Sequence, residues 1–84
     1  MQSNYQVYGE VLYPEINNDR LSFTLLTCQR ALSYEITGIK EKLDIGQRVI
    51  VGLSDESIYP SLEWIALPPG AAESGQILWQ VESK

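Results

Sequence analysis

Short runs in which apolar and polar residues alternate fill most of this 84-residue chain, and few architectures accept such a pattern. A period of two sends successive side chains to opposite faces of a strand, whereas a helix needs a period near 3.6. In YQVYGEVLY, Tyr5, Val7, Val11 and Tyr13 share one face with Gly9 between them, while Gln6, Tyr8, Glu10 and Leu12 take the other. Pro14 is expected to end this ladder, because it has no backbone donor. Asn17 to Asp19 is turn chemistry, since short polar side chains tolerate left-handed backbone.

RLSFTLLT then places Leu21, Phe23 and Leu25 on one face, and LSYEITGI does the same for Leu32, Tyr34 and Ile36. Separated only by a short CQRA link, the two runs read as a hairpin. KEKLD is the one segment that suggests a helical turn, too short to stand alone and expected to cross one end of a sheet. QRVIVGL supplies Val49, Val51 and Leu53, the acidic turn Ser54 to Ser57 follows, and a further strand is expected from Ile58 through SLEWIAL, kinked at Pro60. The tail QILWQVE alternates Ile77, Trp79 and Val81 against Leu78, Gln80 and Glu82.

The expected fold is therefore all-β: a small five- to six-stranded OB-like barrel with a short crossover turn, an SH3-like barrel being the alternative. Closure is how a chain of this size removes exposed sheet edges. One domain is expected overall, because so short a chain cannot build two cores. Within it, residues 1–67 form the barrel core, 68–75 a linker-like loop rich in Pro, Gly and small residues, and 76–84 a C-terminal strand that packs on the barrel or on a partner.

Gly46 is followed by two polar residues, a β-branched run, a small acidic turn and, twelve positions on, Ile58. This spacing resembles the closing strands of the TOBE and molybdopterin-like (Mop) modules, small OB-type barrels of transporter ATPases and oxyanion-binding proteins. YGEV at Tyr8 to Val11 and ALSYEIT at Ala31 to Thr37 resemble earlier strands of the same pattern, so the likeness spans roughly residues 7–59. It departs from the pattern at Tyr5, where an asparagine is usual, and in a shorter crossover after Thr37. What the resemblance implies is a module that binds a small oxyanion or docks on a transporter component, with Ser54, Ser57 and Thr37 as the ligand-binding positions.

Composition narrows the function classes. The chain has no histidine, and its carboxylates are scattered, so general acid–base chemistry near neutral pH lacks its usual agent and no catalytic residue is expected. Cys28 is the single cysteine: it forms no internal disulfide, joins no Cys/His metal set, and is expected as a half-buried hydrophobe on a strand. No cofactor or metal is expected. A net charge of −5 repels polyanions, which argues against the single-stranded nucleic-acid binding that aromatic residues on an OB-like barrel would otherwise suggest. No apolar run reaches the roughly 20 residues that a membrane span needs, and a cytoplasmic location is expected. The leading expectation is a non-catalytic binding or protein–protein interaction module, dimerising through its C-terminal strand or binding another protein. Trp79, Ile77 and Trp64 are its expected contact residues, because Trp and exposed apolar strand faces suit hot spots and strand addition.

Overall fold

The computed structural model describes residues 5–39, 42–68 and 76–81. Six antiparallel strands form a single sheet: β1 (Tyr5–Asn17), β2 (Arg20–Leu26), β3 (Ala31–Thr37), β4 (Arg48–Leu53), β5 (Leu62–Ala66) and β6 (Ile77–Gln80). Their spatial order is β3-β2-β1-β4-β5-β6, so β1 is central and pairs with both β2 and β4. The sheet curls into a half-barrel, consistent with the small OB- or SH3-like barrel that the sequence implies. Overall extents of 30 × 28 × 28 Å fit a curled sheet, since a flat one would be thin in one direction. Among the described residues there is no helix, and so none long and apolar enough to cross a membrane.

The alternating runs form strands because one face of each has a core to enter. Val11, Leu21, Phe23, Leu25, Leu32, Ile36, Val49, Val51, Leu53 and Ile65 all turn inward and are at most 6% exposed. Removing one such side chain from water is worth about 1.5–3 kcal/mol. No buried side-chain polar atom among the described residues lacks a partner, so this burial carries no unpaired polar cost.

Four expectations need correction. Pro14 does not end β1. The strand runs on to Asn17 through a register shift between Leu12 and Glu15, with Tyr13 at φ +52°. A bulge leaves one residue out of the ladder, so the missing proline donor costs nothing, and it turns Tyr13 outward to 73% exposure. The β1–β2 hairpin then closes on Asn18 at φ +62°, as its turn chemistry implies.

The crossover shows no helical turn at Lys42–Asp44, while Lys40 and Glu41 lie outside the described residues. Instead Leu43 enters the core at 1% exposure. The segment after it is pinned to β1: Gly46, at φ +83°, donates its N–H to the Val11 carbonyl (2.6 Å), and Val11 donates to that of Gln47 (2.9 Å). Two backbone bonds to a central strand hold the chain where a free helical turn would not reach.

β5 begins at Leu62 and not at Ile58; Ile58 and Tyr59 stand out at 71% and 88% exposure. Cys28 is exposed in the β2–β3 turn, not half-buried on a strand. Of the expected linker, residues 69–75 lie outside the described residues.

Candidate functional site

Two surfaces emerge from the strand register. The first is the outer face of β1, β4, β5 and β6. Tyr8 pairs with Ile50, Ile50 with Ala66, and Ala66 with Ile77, which lines four apolar residues across four strands. Tyr8 is 61% exposed and Ile77 48%, whereas Ala66 is buried between its larger neighbours. Beside this row runs another, Gln6–Gly52–Trp64–Gln80. Here the Trp64 indole lies over Gly52, in the space a Cβ at that position would take. None of these eight positions carries a charge.

The second surface is the seam where the curled sheet brings its two ends together. Among the described residues no backbone ladder joins β3 to β6. Side chains bridge the gap. Arg30 Nη1 donates to the carbonyls of Ser57 and Ile58, each at 3.0 Å. The Tyr34 hydroxyl donates to the Pro60 carbonyl at 2.8 Å, and Trp79 Nε1 donates to that of Thr37 at 2.6 Å. Burial pushes the Tyr34 hydroxyl pKa above its ordinary value, with the nearby Arg30 charge pulling the other way. A groove of about 650 Å³ runs along this seam, lined by Arg20, Tyr34, Glu35, Thr37, Pro60 and Trp79 among others.

The expected contact residues divide between the two surfaces. Ile77 and Trp64 lie on the outer face, but Trp79 pairs with Ile65, packs against the core and faces the seam. Strict alternation puts Ile77 and Trp79 on one side; the register shift opposite Ile65 and Ala66 separates them and lets Leu78 enter the core at 8% exposure. The C-terminal strand pairs with β5 of its own chain.

The expected ligand positions are dispersed. Ser54 and Ser61 exchange two hydrogen bonds of 2.9 Å, which fastens the base of the β4–β5 loop. Ser57 donates its N–H to Asp55 Oδ1 at 2.9 Å, a local turn in which the hydrogen bonds from Ser57 hold the Asp55 carboxyl below its ordinary pKa. Thr37 sits at the far end of β3 from Arg30, the residue that touches Ser57, and an extended strand separates those two backbones by roughly 20 Å. Thr37 therefore shares no pocket with Ser57. Two of the basic residues are also occupied: Arg20 pairs with Glu35 at 3.6 Å, and Arg30 is held by the carbonyls described above.

The Asp55 turn predicts a pH effect. A carboxyl whose pKa falls on folding adds stability that is complete above its unfolded pKa and is lost as pH falls through the folded value. Acidification below the ordinary carboxylate range should loosen the loop ahead of the core. Protection of the Ser57 amide, taken relative to its intrinsic exchange rate at each pH, should fall while that of Val51 holds, and the Asp55→Asn variant should lose this pH dependence. Seam donors Arg30 and Tyr34 escape sequence reasoning because their acceptors lie 26 to 28 residues away and are backbone carbonyls, which carry no residue signature.

The class these features define is a small curled antiparallel β-domain with an uncharged, largely apolar patch on its outer face and a side-chain-bridged seam. No family model, curated protein or solved structure matches the chain.

Proposed function

We propose that this chain is a non-catalytic protein-interaction module that self-associates through the outer face of β1, β4, β5 and β6. The observation that carries the reading is the ladder Tyr8–Ile50–Ala66–Ile77, apolar across four strands and partly open to water at both ends. Ile50 and the neighbouring Trp64 are partly exposed as well, and adjoining apolar surface of this kind marks interaction sites. A second copy is the occupant that the charges favour. In a chain of net charge −5, the eight central positions are uncharged, so two copies stacked on this face meet no like charge at its centre. Glu10 and Arg48, paired in register at one border of the face, offer opposite charges for contact across a two-fold axis.

Sedimentation velocity from about 10 µM to about 1 mM tests this, with a monomer–dimer equilibrium in the micromolar range expected. The double variant Tyr8→Asp/Ile77→Asp should stay monomeric throughout and keep the wild-type circular dichroism, since both side chains are about half exposed or more. A wild-type chain that remains monomeric at the top of that range overturns the reading.

A further inference from the structure

The seam groove has a chemistry of its own, independent of the outer face. Its aromatic walls are held at their polar ends: Tyr34 donates to Pro60 and Trp79 donates to Thr37, both through bonds to the chain's own carbonyls. Tyr34 is further braced by Phe23, whose ring centre lies 6.3 Å away at a 44° tilt. Each ring stays partly exposed. Pro60 lines the same groove and has no N–H to offer. The groove thus presents fixed aromatic surface with its most prominent donors already engaged.

A ligand suited to it must gain most of its affinity from packing and must need few hydrogen bonds from the protein. A strand seeking a backbone ladder fits poorly. A polyproline-II segment fits well, because it is extended, makes no internal hydrogen bonds, keeps its backbone solvated and loses little entropy on docking against aromatic side chains. Charge adds a second condition. Glu35 on the groove wall already holds one guanidinium, that of Arg20, with the two side chains 54% and 61% exposed. So exposed an ion pair contributes little, and a carboxylate accepts more than one guanidinium, so an arginine from a ligand can join Arg20 at Glu35. The net charge of −5 favours a cationic ligand in the same direction.

We propose that the seam groove binds a proline-rich, arginine-bearing segment of a partner protein in the polyproline-II conformation. The test is a titration of the isotope-labelled full chain with a synthetic oligoproline peptide ending in arginine, read by amide and indole N–H chemical shifts. Saturable shifts centred on the Trp79 indole, Tyr34 and Thr37 are expected, with a Kd of about 10–500 µM. Glu35→Gln, an exposed change that leaves the core untouched, should weaken this peptide several-fold and leave an arginine-free oligoproline unaffected. Tyr34→Leu should weaken both peptides, and its own spectrum reports whether it is folded. Three results overturn the proposal: no saturable shift at about 2 mM peptide, equal shifts from a Gly/Ser peptide of the same charge, or shifts centred on Tyr8 and Ile77. The first two leave the reading of the outer face untouched, and sedimentation tests self-association separately from all three.

Discussion

Leu43→Ala is expected to lower the free energy of unfolding by about 2–5 kcal/mol, the usual cost of emptying a fully buried leucine site. The side chain is 1% exposed and belongs to the single core cluster, although the segment that carries it forms neither strand nor helix. Domains retain only about 5–15 kcal/mol in total, so this one change removes a large share of the margin. A urea titration shows it as a lower midpoint at similar slope. Were Leu43 on the outer side of a surface turn, the change would stay within about 0.5 kcal/mol, and a midpoint that does not move would refute its place in the core.

The same residue shows where sequence legibility stops. Leu21, Phe23 and Leu25 announce their face by alternation, as do Val49, Val51 and Leu53, and all six are buried. Leu43 is followed two positions on by Ile45, which is 64% exposed, so alternation would put both on one face and does not single out Leu43 as the buried one. Its position is fixed by the bonds between Val11 and the Gly46–Gln47 turn, which are contacts between distant segments. The tail illustrates a different limit. Its strand character is readable, yet one bulge residue moves Trp79 to the seam and leaves Ile77 outside, and a sequence period cannot register an inserted residue. Likewise β1 passes Pro14 because a bulge removes the need for its donor, and Ile58 lies outside the expected strand, where its own carbonyl and that of Ser57 accept from Arg30. Of the candidate surfaces, the outer ladder was half legible: Trp64 and Ile77 are visible as apolar residues, but their alignment with Tyr8 and Ile50 is a matter of register. The seam was not legible, since its acceptors are carbonyls.

Gly52→Val sets two energies against each other. Gly52 is extended backbone in the middle of the sheet, where valine is intrinsically favoured over glycine by up to about 1 kcal/mol. Against that gain, a Cβ at this position falls within the indole of Trp64, its cross-strand partner, and the valine methyl groups reach further still. The ring is rigid and must leave its place, which exposes Gly52's surroundings and strains β5; overpacking of this kind costs about 1–3 kcal/mol. The steric term is the larger, so the variant should be less stable despite its better strand former, and the displaced indole should also weaken self-association by about tenfold or more. Pairing it with Trp64→Ala separates the causes. With the ring gone, Gly52→Val should become neutral or stabilising, and the double-mutant cycle should return a coupling of about 1–3 kcal/mol. Additive effects would mean that the indole does not rest on the glycine, and the uncharged row Gln6–Gly52–Trp64–Gln80 would lose the packing that makes it part of a docking face.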